Sequence, residues 1–149
     1  MSARLIITSL IAQTMLMRNY YIYGALGWCL EVIWTGMGSL LSGDPRLTAT
    51  TYLWMFPIYG LAVFFEPVHD RIRPWPTLIR GLFWMFLFFA VEYLTGWFLR
   101  ILVGTSPWDY SGAAFHVQGL IRLDYAPVWF FLGLLYEKLH DWLQQIEVR

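Results

Sequence analysis

Charged residues are scarce in this chain. Only 13% of its 149 residues are Asp, Glu, Lys or Arg, whereas about 25% is usual for a soluble domain. Lys138 is the only lysine and does not follow a glycine, so the Gly-Lys phosphate-binding loop of ATPases is absent. The metalloprotease pattern HExxH and the hydrolase pattern GxSxG are absent as well. The formal net charge is zero, which excludes the basic footprint of a nucleic-acid-binding protein.

Cysteine and histidine are equally sparse. The single cysteine, Cys29, excludes an intramolecular disulfide. The three histidines, His69, His116 and His140, show no spacing that matches a zinc ligand set. We therefore predict neither a bound metal nor another cofactor.

Apolar and aromatic residues are correspondingly abundant in the chain. Hydrophobic residues make up 58% of the chain and aromatic residues 19%, including nine Trp. Trp and Tyr collect at membrane–water interfaces, where the ring lies in the apolar layer and its polar atom stays hydrated. This composition predicts an integral membrane protein.

Four apolar segments are long enough to be considered as membrane spans. We predict an all-α fold, a single membrane domain over residues 1–149 that forms a bundle of four transmembrane helices at about 20–41, 52–68, 79–103 and 126–143. Residues 1–17 form either an interfacial helix or the front of the first span, because residues 5–17 alone are too short for a hydrocarbon core of about 30 Å. Pro57 is expected to kink the second span. Residues 104–124 are predicted to form a long outer loop.

The distribution of basic residues predicts the orientation of these spans. Seven of the ten Lys and Arg residues fall on the side of the chain termini, and three fall on the other side. We therefore expect both termini to be cytoplasmic. The cytoplasmic group is Arg4, Arg18, Arg71, Arg73, Arg80, Lys138 and Arg149, and the outer group is Arg46, Arg100 and Arg122.

Two glutamates lie inside predicted spans. At 1.5 Å rise per residue, Glu31 lies about 16 Å deep and Glu92 about 19 Å deep, so both are expected near the bilayer midplane. A carboxylate there costs roughly 2.5–3.5 kcal/mol and marks a functional site by default, because it can hold a proton, a cation or a cationic ligand. The alternative is that each glutamate is protonated and only fixes helix packing.

Further polar and aromatic residues extend this predicted site. Tyr59 lies beside Pro57 and Gly60, where a cavity could form, although an ordinary packed tyrosine is the alternative. Arg100 is expected to meet Asp109 or Asp124 at the outer end, or to extend to the interface. The Trp-Asp-Tyr-Ser sequence at 108–111 is either a lid tied to an arginine or an interfacial turn. The predicted ligand-binding residues are Glu31, Glu92, Tyr59, Arg100, Trp108, Asp109 and Tyr110.

Several of these segments resemble a known family. The chain is similar to the transmembrane protein 229 family, which is related to a bacterial group of membrane proteins labelled type IV ABC transporters. The resemblance implies a small multi-spanning membrane protein and modestly favours transport. It runs from about residue 23 to residue 143 and rests on 27–34 (GWCLEVIW), 51–61 (TYLWMFPIYGL), Glu66-Pro67, Glu92-Tyr93 and 107–110 (PWDY).

Three functions remain open at this point. The first is a transporter-like or ligand-binding membrane protein that uses the midplane carboxylates. The second is a structural or accessory membrane subunit without transport activity. The third, a lipid-modifying membrane enzyme, ranks last because the chain offers no obvious nucleophile or metal site. The expected partners are the lipid bilayer and either further copies of the chain or another membrane protein, and no nucleic acid.

Overall fold

The structure is a computed structural model that describes the backbone of residues 3–147 and the side chains of residues 8–146. The side chains of Arg4 and Arg149, which belong to the orientation count, lie outside this described part. The chain is mostly helical and divides into two compact units, Met1–Glu66 and Pro67–Arg149.

The first unit is built on one long helix, α1, which runs from Ala3 to Leu41. No proline interrupts this stretch, and the helix is about 58 Å long at 1.5 Å rise per residue, nearly twice the thickness of a hydrocarbon core. Residues 3–17 are therefore the front of the first helix rather than a separate element. The helix ends where Gly43 adopts a positive φ of 94° and Pro45 prevents its continuation.

A shorter helical segment packs against α1. Helix α2 spans Met55–Gly60, a 3-10 turn follows at Leu61–Phe65, and helix α3 spans Glu66–Ile72. Pro57 is the third residue of α2, so its missing N–H belongs to the first turn, where no intrahelical acceptor exists. The predicted proline kink within a span over 52–68 is therefore wrong, because the helix begins only at Met55.

The second unit is organised by two further helices. Helix α4 spans Thr77–Val103 and ends at Gly104, which has a left-handed φ of 82°. Helix α5 spans Ala126–Glu147. The segment between them carries a small antiparallel hairpin of β1, His116–Val117, and β2, Ile121–Arg122, followed by a 3-10 turn at Leu123–Tyr125.

Glycine–aromatic contacts join the helices within each unit. A Cβ atom added at any of five glycines would meet an aromatic side chain at 2.9 Å or less, closer than real Cβ atoms approach. Each of these glycines therefore allows an aromatic side chain to reach the helix backbone. The pairs are Gly27 with Tyr59, Gly60 with Tyr20, Gly81 with Phe130, Gly96 with Trp108, and Gly133 with Trp84. At Gly24 the added atom would instead meet the Phe56 carbonyl oxygen at 2.8 Å.

Two described helices are long and apolar enough to cross a membrane, at Thr8–Leu41 and Thr77–Val103. Only 11% and 22% of their most apolar stretches are buried within the protein, whereas the core helix of a soluble protein would be mostly buried. The second of them also lies far from the N-terminus, where a signal sequence would be. The bundle of four spans stays a prediction, since two helices rather than four meet these criteria.

Candidate functional site

Glu31 is held by a tyrosine from the neighbouring helix. The hydroxyl of Tyr59 donates a hydrogen bond of 3.0 Å to Oε2 of Glu31. Gly27, one helical turn before Glu31, makes room for this tyrosine, because a Cβ atom there would lie 2.4 Å from the Tyr59 ring. Gly27 and Glu31 share one face of α1 at a spacing of four residues. The structure thus brings together two of the predicted site residues.

The chain that precedes α2 closes over the same part of α1. The Thr35 hydroxyl donates to the Glu31 carbonyl at 3.0 Å and accepts the Thr50 amide at 3.2 Å. The Thr51 hydroxyl is buried in the same region and interacts with the Glu31 carboxylate. The Glu31 carboxylate therefore lies in a small polar region within an otherwise apolar helix.

Glu92 is held in the same manner within the second unit. Its side chain is only 8% exposed, and Oε1 accepts a 3.1 Å hydrogen bond from the hydroxyl of Tyr110. Tyr110 is fixed by its own backbone, because its amide donates to the Gly119 carbonyl at 2.8 Å. The loop residue Tyr110 and the helix residue Glu92, both predicted site residues, thus contact each other.

Trp108 fastens the same loop to α4. Its ring is 6% exposed, and Nε1 donates to the Leu120 carbonyl at 2.9 Å. A Cβ atom at Gly96 would lie 2.9 Å from this ring and 3.0 Å from the Leu120 side chain. Glu92 and Gly96 are four residues apart on α4, so one helix face binds both aromatic residues of the loop.

Asp109 and Arg100 do not form the expected ion pair. Asp109 accepts the Ser111 amide and the Ser111 hydroxyl, each at 2.9 Å, and these bonds hold the pKa of Asp109 below its ordinary value. Arg100 instead donates to the Gln118 carbonyl at 3.1 Å. Asp124 is paired with Arg122. The turn at 108–111 is therefore closed by its own hydrogen bonds, and its predicted role as a lid stays a prediction.

A buried polar cluster in the second unit was missed by sequence reasoning. Glu137, His69 and His140 are only 4%, 2% and 2% exposed. Glu137 accepts Arg80 Nε at 2.9 Å and Trp84 Nε1 at 2.8 Å. The two imidazole rings lie 5.0 Å apart between their centroids, although 71 residues separate them along the chain.

Three carboxylates surround this histidine pair. Nδ1 of His69 lies 3.7 Å from Glu137 Oε1, and Nε2 of His69 lies 3.3 Å from Asp141 Oδ1. Nε2 of His140 lies 3.4 Å from Asp70 Oδ1. The spacing of Glu137, His140 and Asp141 on α5 was the available signal, since residues three and four apart share a helix face.

One protein family matches nearly the whole chain, including every site residue described above. Residues 18–148 match the model of a family described as "Putative ABC-transporter type IV". The chain belongs to this family. No solved structure matches the chain significantly.

The match is to the bacterial group that the sequence resemblance named as a relative, and the similarity to the transmembrane protein 229 family itself stays a prediction. The matched residues include Glu31, Glu92 and the buried histidine cluster. The prediction that Glu31 and Glu92 line one common site stays a prediction, because the two residues belong to different compact units. Family and helices together point to a membrane protein without naming a substrate.

The type IV family member also has an open cavity in its second unit, with a volume of about 540 Å³. None of the seven predicted ligand-binding residues lines it. The lining is apolar apart from one arginine and consists of Pro67, Val68, Arg71, Ile72, Trp75 and Phe83.

Proposed function

We propose that this protein is a small membrane-embedded component of a transport system and that Glu31 and Glu92 bind a proton or a monovalent cation during transport. One observation carries the proposal. Each of the two helices able to cross a membrane contains a glutamate whose carboxylate accepts a tyrosine hydroxyl.

The physical argument starts from the cost of these two acids. An ionisable side chain at membrane depth costs several kcal/mol and persists where it has a partner or a function. A tyrosine hydroxyl donates one hydrogen bond and so orients the carboxylate, and a carboxylate with about four lone-pair sites can bind a proton or a cation beside such a donor. The family description, which names a transporter, supports the same direction.

The energy for transport would come from outside this chain. The only lysine, Lys138, is not part of a Gly-Lys phosphate loop. Transport driven by ATP would therefore need a separate ATPase subunit, and transport driven by an ion gradient would need none. Flux measured with the purified chain alone therefore distinguishes transport driven by an ion gradient from transport that needs an ATPase subunit.

Proteoliposomes that contain only this protein test the proposal. A pH-sensitive dye inside the vesicles reports proton entry under an imposed pH gradient, and a sodium- or potassium-sensitive dye reports the cations. We expect flux above that of empty vesicles, reduced to the empty-vesicle level by Glu31→Gln and by Glu92→Gln. Asp44→Asn is the matched control, because Asp44 is a carboxylate in the loop after α1. Wild-type vesicles no more permeable than empty ones would overturn the proposal.

A second function is favoured by the way the tyrosines are packed. Tyr59 contacts the α1 backbone at Gly27, and Tyr110 is fixed by Gly119, so both glutamates also join structural elements. An accessory membrane subunit without transport activity would use the acids in this way alone. It predicts that Glu31→Gln lowers thermal stability or the recovery of a partner protein while flux stays at the empty-vesicle level in wild type and variant.

The finer membrane architecture belongs to the same proposal. We infer a bundle of four spans with cytoplasmic termini, similar to the transmembrane protein 229 family and assembled with further copies or a partner. Fusion of a periplasmic-only and a cytoplasmic-only reporter to the C-terminus tests the orientation. Activity of the periplasmic-only reporter would contradict it.

A further inference from the structure

We propose that His69, Asp70 and His140 form a binding site for a divalent cation of the zinc class, with Asp141 at its border. One ligand atom from each of His69, Asp70 and His140 lies within 4.8 Å of the others. The residues come from α3 and α5, two elements of the second compact unit. This site is independent of the proposed transport function.

The proposed ligand atoms must move somewhat closer together to bind a metal ion. Zinc bonds to nitrogen and oxygen of about 2.0–2.1 Å in a tetrahedron place neighbouring ligand atoms roughly 3.3 Å apart. Nε2 of His140 and Oδ1 of Asp70 are already 3.4 Å apart, and Nε2 of His69 and Oδ1 of Asp141 are 3.3 Å apart. The ligand atoms of His69, Asp70 and His140, now within 4.8 Å of one another, must move closer around one ion. The Gln144 amide nitrogen, 3.0 Å from His140 Nε2, must turn aside.

Nε2 of His69 is the nitrogen that faces the cluster. It lies 3.2 Å from Arg73 Nη2, which can only donate, and 3.3 Å from Asp141 Oδ1, which accepts, so either tautomer finds a partner. Nδ1 lies 3.7 Å from the carboxylate of Glu137, beyond hydrogen-bond distance. A slight approach would give the carboxylate outer shell that is usual for a metal-binding imidazole. Glu137 is fixed in turn by Arg80 and Trp84.

A positive group already occupies the centre of the cluster. Arg73 Nη2 contacts Oδ1 of Asp141, lies 3.2 Å from His69 Nε2 and lies 3.7 Å from Oδ1 of Asp70. Its side chain is 50% exposed, so it can turn into solvent when another cation enters. The charged side chains Asp70, Asp141 and Arg73 sum to a formal charge of −1 (two negative charges and one positive charge). The cluster therefore attracts a further cation.

The ligand types identify the class of ion. Two imidazole nitrogens with carboxylate oxygens suit Zn²⁺, Co²⁺ and Ni²⁺, whereas Mg²⁺ and Ca²⁺ prefer oxygen ligands alone. The chain's remaining histidine, His116, accepts the Gly119 amide in the hairpin of the second unit. It is therefore a natural control for metal binding outside the cluster.

The test is zinc titration of the full-length protein in detergent, with the purification tag removed because oligohistidine binds the same ions. Isothermal titration calorimetry measures the affinity, and visible absorption of the Co²⁺ form reports the coordination. We expect one ion per chain, and affinity lower by about tenfold or more in His140→Asn and Asp70→Asn. His116→Asn should bind as the wild type does.

Two further variants separate metal binding from folding. Asp70 is 52% exposed, so Asp70→Asn is expected to fold even if the buried histidine variant does not. Arg73→Gln removes the competing positive charge and should bind zinc more tightly than the wild type. No zinc binding by the wild type, or unchanged affinity in Asp70→Asn, would overturn the site. Weaker binding in Arg73→Gln would overturn the place given to the guanidinium.

Discussion

The hydroxyl of Tyr59 donates a 3.0 Å hydrogen bond to the carboxylate of Glu31, across the contact between α2 and α1. Tyr59→Phe removes this bond while keeping the ring in the space beside Gly27. We expect a loss of about 1–2 kcal/mol in unfolding free energy, because the carboxylate loses a donor in a partly buried place. Chemical unfolding in detergent measures it. Tyr52→Phe is the matched control, since Tyr52 is 46% exposed, and an equal loss there would contradict the prediction.

Substitution of Gly27 should be more disruptive than substitution of any exposed glycine of α1. The Cβ atom of Gly27→Ala would lie 2.4 Å from the Tyr59 ring, and an overfilled contact of this kind costs about 1–3 kcal/mol. Gly38 has nothing within 4 Å of the same position, so Gly38→Ala should be neutral or slightly stabilising. Thermal unfolding of the two variants side by side decides the matter. Equal stability of the two would refute the role of Gly27.

Removal of the Glu137 carboxylate should destabilise the second unit strongly. Glu137→Ala leaves Arg80 Nε and the buried Trp84 N–H without their acceptor, although Arg80 Nη1 keeps the Trp75 carbonyl, and breaking such a buried pair costs about 3–5 kcal/mol. Glu137→Gln keeps an acceptor for Trp84 and should lose less. Lys138→Ala, at the exposed neighbouring position, should change stability by about 0.5 kcal/mol or less.

The hairpin between α4 and α5 depends on the conformation of Gly119. Its φ is 71°, and a Cβ atom would lie 2.6 Å from Oδ1 of Asp109, so Gly119→Ala should open the loop. Hydrogen exchange of the Tyr110 amide, which donates to the Gly119 carbonyl at 2.8 Å, should become faster. Gly112→Ala should leave this exchange unchanged, because Gly112 has open space at its Cβ position. Unchanged protection in Gly119→Ala would count against the contact.

The loop after α1 should show an acid-dependent change. The Arg46 side chain, followed by the Thr48 hydroxyl, lowers the pKa of Asp44 from 3.8 to about 2. A lowered folded-state pKa stabilises the fold above the ordinary value and loses this effect as the pH falls through the folded value. The melting temperatures of wild type and Asp44→Asn should therefore differ at neutral pH and converge as the pH falls from 3.8 to about 2. A constant difference across this interval would contradict the assignment.

Apolar segments and helix-ending residues made α4 and α5 predictable. The third predicted segment began at residue 79 and the fourth at residue 126, and the helices begin at Thr77 and Ala126. The α4 boundary was readable because Gly104 is a natural helix terminator. The effect of Pro57 was misread, since the local sequence does not reveal that the helix starts late enough to place this proline in its first turn.

The sequence predicted only those residues of the candidate site that stand out from their neighbours along the chain. Glu31 and Glu92 stood out because an acid in an apolar stretch is visible in the sequence, and Tyr59 because of the adjacent proline and glycine. The contact of Tyr110 with Glu92 depends on how the loop after α4 folds back onto that helix over eighteen residues. The approach of His69 to His140 depends on the packing of α3 and α5, which no local spacing specifies.

The glycine–aromatic contacts have a consequence for how this chain can vary. Five of its twelve glycines admit an aromatic side chain where their own side chain would begin, so enlarging one partner requires shrinking the other. A saturation mutagenesis library should consequently tolerate exchange of exposed acids more readily than the smallest change at these five positions. Second-site mutations that restore a glycine variant should map to the aromatic residue that packs on that glycine from another segment, rather than to neighbours on the same helix.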